Sequence, residues 1–117
     1  MSLPEPLSFA RDWQAAWNSH DLDRVLARYT DDIRFRSSKA QTLVGRGLIE
    51  GKDALRDYWR QALEAQPTLA FRVQDVFGGY QMIVITYLNH RDVLAAETLY
   101  FNEEGLVYRA AASHRDI

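Results

Sequence analysis

Leu69-Ala70-Phe71-Arg72-Val73-Gln74-Asp75-Val76-Phe77-Gly78-Gly79 is the stretch in which the chain changes its period. Before it, apolar residues recur every three or four positions; from it onward they alternate. Alternation is the mark of a half-buried strand, whose side chains point to opposite faces in turn. Leu69, Phe71, Val73 and Phe77 then share a face with Asp75, and Gly78-Gly79 turns the chain. The next run, Tyr80 to Asn89, contains Met82-Ile83-Val84-Ile85-Thr86-Tyr87-Leu88, apolar on both faces. His90-Arg91-Asp92 leads into Val93-Leu94-Ala95-Ala96-Glu97-Thr98-Leu99-Tyr100-Phe101. Asn102-Glu103-Glu104-Gly105 ends that strand, and Leu106 to Ser113 forms the last one. Links this short join antiparallel neighbours, because parallel strands need a crossover of a dozen residues or more. The second half is therefore a meander.

Upstream, the period of 3.6 predicts helices. Phe9, Trp13, Ala16 and Trp17 form one stripe, with Ser8 as the expected N-cap. Asn18-Ser19-His20-Asp21 breaks it, with His20 read as part of a helix start, and Leu22, Val25, Leu26 and Tyr29 form a second, shorter stripe. Thr30-Asp31-Asp32 reads as a turn before a short strand, Ile33-Arg34-Phe35-Arg36. Residues 37–50 read as a loop. A third helix starts near Gly51-Lys52-Asp53, has Ala54, Leu55, Tyr58, Trp59, Ala62 and Leu63 as its apolar face, and stops at Pro67. Helices first and a sheet afterwards make an α+β protein with the helices on one face.

The length, 117 residues, suits a single domain spanning residues 1–117 with one core, and 47% hydrophobic residues exclude a disordered chain. A net charge of -2 with scattered arginines gives no basic field for nucleic acid. With no cysteine, disulfides and zinc–thiolate or iron–sulfur sites are excluded. His20, His90 and His114 have no metal-ligand spacing, and no glycine-rich phosphate loop or nucleophile elbow occurs, so neither metal nor cofactor is expected. Met1-Ser2-Leu3-Pro4-Glu5-Pro6 is unlike a secretion signal, and no apolar run is long enough for a bilayer. A cytoplasmic protein with no membrane partner is the expectation.

One residue breaks the pattern of the meander. Glu97 shares a strand face with Val93, Ala95, Leu99 and Phe101. A carboxylate there must be paired, protonated or open to a cavity, because an unpaired buried charge costs several kcal/mol or more. Either it is a structural group bonded to an indole or arginine, or it is an acid–base group with a raised pKa. His114 ends a face shared with Leu106, Tyr108, Ala110 and Ala112; it either lines a space left by the alanines or sits in solvent at the chain end. Asp75 interrupts an apolar face too, or reaches water where its strand ends. Trp13, Trp17, Phe35, Tyr58, Trp59 and Phe101 supply an aromatic wall, either as core or against a flat apolar ligand.

Taken together, Trp17-Asn18-Ser19-His20-Asp21-Leu22-Asp23, Tyr29-Thr30-Asp31-Asp32-Ile33-Arg34-Phe35, Gly51-Lys52-Asp53-Ala54-Leu55 with Tyr58-Trp59, and Phe101-Asn102-Glu103-Glu104-Gly105-Leu106-Val107 resemble the nuclear transport factor 2-like superfamily and, within it, the SnoaL-like proteins. The resemblance runs over nearly the whole chain. It implies a cone-shaped fold in which a strongly curved, mostly antiparallel sheet wraps around the helices and leaves an internal pocket, and it implies a homodimer. Val84 and Leu88 lie on one face of their strand and Ile83 and Ile85 on the other, and the face opposite Glu97 carries Leu94, Ala96, Thr98 and Tyr100. Helices can cover one face, so the other points independently to a partner over the sheet. On the pattern of the ketosteroid isomerases, Glu97 falls on the acid of the oxyanion hole, Trp13 on its tyrosine, Trp59 on a supporting tyrosine, Ser37 on the general base and His114 on a bulky aromatic of the pocket. Only the acid is kept, so that reaction is not expected. The resemblance implies a pocket for a hydrophobic, oxygenated small molecule, worked by acid–base chemistry without a cofactor, with Glu97 and His114 as catalytic groups. The alternative is a module that binds or dimerises without catalysis.

Overall fold

The computed structural model describes residues 3–116, so Met1, Ser2 and Ile117 of the readings above lie outside it. Helix α1 (Pro6–Ser19) and the short α2 (Leu22–Leu26) precede strand β1 (Tyr29–Ser37). Helix α3 (Ser38–Val44), strand β2 (Leu48–Glu50) and helix α4 (Lys52–Ala65) follow, and then β3 (Arg72–Gly79), β4 (Met82–Leu88), β5 (Leu94–Phe101) and β6 (Val107–His114). The six strands form one curved sheet in the order β2-β1-β6-β5-β4-β3. The last four strands are the expected antiparallel meander, while β1 lies parallel to β6 and brings the N-terminal half onto the sheet. This is an α+β fold whose helices cover one face. Among the described residues no helix is long and apolar enough to cross a membrane.

Several local expectations are corrected. Glu5, not Ser8, caps α1: its carboxylate accepts from the N–H groups of Leu7 (2.8 Å) and Ser8 (3.1 Å), and Pro6 at the first position has no N–H to satisfy. His20 does not start a helix but ends α1 in the left-handed conformation (φ 61°), its ring Nε2 2.6 Å from the Leu69 carbonyl. Thr30-Asp31-Asp32 is no turn but part of β1, and Tyr29 begins that strand. Residues 37–50 are not a loop either. The Ser37 hydroxyl accepts from Lys39 N–H (3.1 Å) and Ala40 N–H (3.3 Å) and so starts α3, which Gly45 closes at φ 79°. A helix of two turns followed by a three-residue strand is too short to reveal a period in sequence.

Two β-bulges re-aim side chains. Between Val73 and Asp75 the register with β4 slips, so Val73 and Val76 face inward while Asp75 is exposed and Phe77 is 58% exposed. In β6, Tyr100 pairs with Arg109 but Phe101 pairs with Val107, which turns Tyr108 outward and keeps Val107 and Ala110 in the core. Strict alternation, right elsewhere, assigned both Asp75 and Tyr108 to the wrong face.

The core sits between the inner sheet face and α1 and α4, with Phe9, Trp13, Trp17, Leu55 and Trp59 meeting Ile83, Ile85, Leu99 and Phe101. Polar groups of α1 also hold the start of the last meander. The Asn18 amide donates to the Phe71 carbonyl (2.9 Å) and accepts from the Phe71 N–H (2.7 Å), and Gln14 accepts from the Val73 N–H (2.7 Å). These bonds satisfy backbone at an open sheet edge. Asn18→Ala should therefore lower stability by about 1–2 kcal/mol in urea denaturation, whereas an exposed change such as Gln74→Ala should leave the midpoint nearly unmoved.

Candidate functional site

One row across the sheet builds the site. Ser37 of β1 pairs with Ala112 of β6, Ala112 with Glu97 of β5, and Glu97 with Ile85 of β4. Ala112 has no bulk beyond Cβ, so the row is open beside the carboxyl group. One register step along, Tyr87 and His114 both pair with Ala95, which sets them diagonally on either side of Glu97 on the same face. Trp17 of α1 and Tyr58, Trp59 and Ala62 of α4 roof the row. What remains is a cavity of about 120 Å³ lined also by Phe35, Lys39, Gln66, Leu69, Phe71, Asn89 and Arg91.

Glu97 is only 4% exposed. The Tyr87 hydroxyl donates to its Oε1 at 3.1 Å, and no cation pairs with it among the described residues. Burial therefore dominates its titration: loss of hydration pushes its pKa up to about 8, against a smaller downward pull from the Tyr87 hydrogen bond. At neutral pH it is a carboxylic acid. Its carbonyl oxygen accepts the hydrogen bond from Tyr87, and its own O–H is left for whatever occupies the cavity. Burial and the Glu97 charge likewise push the hydroxyls of Tyr87 and Tyr58 upward, so both stay protonated.

His114 is half-buried, and its pKa is lowered first by burial and then by the Lys39 charge, with Asp116 pulling the other way. Its Nδ1 is enclosed without a protein partner. No hydrogen bond joins it to Glu97; the two groups flank the space between them. A neutral acid and a neutral imidazole in one cavity are a donor and an acceptor of protons. Among the enclosed polar atoms without partners is also the Trp17 indole nitrogen.

Of the residues singled out in sequence, Glu97, His114, Trp17, Phe35, Tyr58 and Trp59 line this cavity together. Trp13, Phe101 and Asp75 do not. Trp13 stacks on Phe71 (5.4 Å between ring centroids) and meets Tyr87 edge-on (5.1 Å), behind the wall. Its far side lines a separate crevice of about 250 Å³ between α1 and α2, together with Asp12, Arg24 and Tyr29. There the Trp13 N–H and the Tyr29 hydroxyl lie close without completing a hydrogen bond. Phe101 packs edge-on against Phe9 at 5.1 Å, in the core. Asp75 is exposed because of the bulge.

Tyr87, Lys39, Asn89 and Arg91 escaped the sequence reading. Tyr87 was within reach: the short turn at residues 89–93 sets the hairpin register, and that register puts a hydroxyl diagonal to Glu97. Lys39 and Arg91 had no such signal, since one depends on the unexpected α3 and the other on how the sheet curves.

The chain was compared with known proteins on this basis. The model of the SnoaL-like domain matches residues 10–115. No functionally curated protein matches the chain. A SnoaL-like protein of unknown function from Burkholderia thailandensis has 33% identical residues and superposes with a TM-score of 0.88, over 93% of each chain. TerC, crystallised with polyporic acid, shares the fold at 8% identity (TM-score 0.78, 94% of this chain and 91% of that one). An NTF2-like protein of unknown function from Burkholderia pseudomallei does so at 16% identity (TM-score 0.74, 92% of this chain and 88% of that one). The extent of the domain match and the 33% identity over nearly the full length are decisive: this chain belongs to the SnoaL-like family of the NTF2-like superfamily.

Proposed function

We propose that this single-domain protein binds a hydrophobic, oxygenated small molecule in the Glu97 cavity and moves a proton on it without a cofactor, in an isomerisation, cyclisation or dehydration. The observation that carries this reading is the carboxyl group of Glu97, buried in a wall of the cavity with one hydrogen bond and, among the described residues, no counter-ion. In the proposed step Glu97 donates its O–H to a carbonyl oxygen of the ligand, and the His114 imidazole accepts a proton from the neighbouring carbon. Trp17, Phe35, Tyr58 and Trp59 hold the apolar part. Trp13, Phe101 and Asp75 have no direct part in it.

The alternative, a cavity that binds without catalysis, needs the same residues but no proton transfer. Solvent-deuterium uptake next to the carbonyl of a small aryl ketone such as acetophenone separates the two. Catalysed uptake should fall by at least ~100-fold in Glu97→Gln. Unchanged uptake in that variant removes Glu97 from the mechanism, and binding with no uptake in the wild type favours the non-catalytic reading.

The protonation state of Glu97 has its own test. Its folded pKa of about 8 lies above the ordinary 4.5, so between these values the folded protein keeps a proton that the unfolded chain has lost. The resulting stabilisation is complete below 4.5 and drains away as pH rises to about 8. The lowered His114 pKa acts in the opposite sense, but below its ordinary 6.5. From pH 6.5 to 8, urea denaturation of the wild type should lose about 2 kcal/mol, a loss that Glu97→Gln should largely abolish. Equal pH profiles for both proteins would show that Glu97 ionises normally.

A second copy packed on the outer sheet face belongs to the same proposal. Val84, Leu88, Leu94, Ala96 and Thr98 of β4 and β5 are only partly covered there. Exposed Arg36 and Arg109 lie to one side of this stripe, and exposed Arg72 and Asp75 of β3 to the other. Light scattering at micromolar concentration should give twice the chain mass, and Thr98→Arg, at the centre of the stripe, should give the monomer. A monomeric wild type refutes this part.

A further inference from the structure

The rim of the Glu97 cavity has a chemistry different from that of its floor. Lys39 comes from the first turn of α3, Gln66 from the end of α4, and Asn89 and Arg91 from the turn between β4 and β5. That turn is well held. The Asn89 Oδ1 accepts from the N–H groups of Arg91 (2.8 Å) and Val93 (3.0 Å), and the Asn89 N–H donates to the Val93 carbonyl at 3.0 Å. Arg91 therefore starts from a fixed backbone, although its side chain is exposed.

The charges at the rim do not balance. Lys39 is matched by Asp116 at 2.9 Å. Asp92, beside Arg91, is drawn away to Arg72 at 3.7 Å. Among the described residues no carboxylate lies within 4 Å of the Arg91 guanidinium. Inside, Glu97 and His114 are both uncharged at neutral pH, so no negative charge within the cavity opposes an anion held at Arg91. A ligand amine would instead meet the unmatched Arg91 guanidinium. A cation without a partner beside low-dielectric walls attracts ions of the other sign.

Size narrows the choice further. The cavity holds about 120 Å³ and is walled by Trp17, Phe35, Phe71 and Trp59. An engineered apolar cavity of roughly 150 Å³ takes up benzene, so the space here suits one aromatic ring and no fused system. We propose that the cavity takes a monocyclic aromatic carboxylate, its ring against the aromatic wall and its carboxylate at the rim against Arg91. This rests on the reading of the cavity as a ligand site and adds the charge and size of the ligand.

Benzoate and its neutral isostere benzamide test it on the full-length protein, followed by quenching of tryptophan fluorescence and by amide chemical shifts. Benzoate should bind about fivefold more tightly than benzamide, the upper end of what one exposed ion pair supplies. The preference should shrink with added salt. In Arg91→Gln the ratio should fall to about one, with the amide chemical shifts of the ligand-free variant showing that it is folded. If benzamide binds as well as benzoate in the wild type, or the preference survives in Arg91→Gln, the anion proposal is overturned while the cavity remains a ligand site. If neither compound binds at millimolar concentration, the proposal falls together with the ligand-site reading. Naphthalene-2-carboxylate binding more tightly than benzoate would overturn the limit to one ring.

Discussion

Removing the Glu97 carboxyl group from water is the constraint on which the rest of this structure turns. A charged carboxylate on the inner face of the sheet would need a cation or several donors. The fold offers one tyrosine hydroxyl. The cheaper state is the protonated one, and it changes the character of the whole cavity. The site becomes uncharged, able to donate a proton and compatible with apolar walls. Ala112 on one side and the diagonal pair Tyr87 and His114 keep the space beside the acid from closing.

The surrounding aromatics make this arrangement rigid. Trp17 meets Trp59 edge-on at 4.8 Å, Trp59 meets Tyr29 at 5.5 Å and Phe35 at 5.5 Å, and Trp13, Phe71 and Tyr87 form a second group behind the acid. Large rings of this kind supply core stability while leaving gaps that flexible aliphatic side chains would fill. The outer face of the same strands carries a different message, an apolar stripe flanked by charged residues. A strand contributes to both faces because its period is two, so a single meander specifies the interior and the exterior together.

Much of this was legible from residue order. The switch of period near Leu69 separated helices from sheet, and Glu97 stood out because its neighbours two positions away on either side are apolar. The failures have a common origin. Asp75 and Tyr108 were misassigned because a bulge adds one residue to a strand and reverses every face beyond it, a feature with no reliable mark in composition. The segment 37–50 was misread because its helix and strand are shorter than the window over which periodicity can be detected.

The sequence by itself therefore determined the order of the longer elements, the antiparallel meander, most of the buried faces and the position of the anomalous acid. Those follow from local periodicity, short connections and the cost of burying charge. Only the tertiary structure decided which residues share the cavity with Glu97. Ser37 with Lys39, Tyr58, Arg91 and His114 come from four separate parts of the chain, and their meeting depends on the parallel pairing of β1 with β6 and on the curl of the sheet. Both are long-range contacts, set by how whole elements pack, and no local pattern of side chains encodes them.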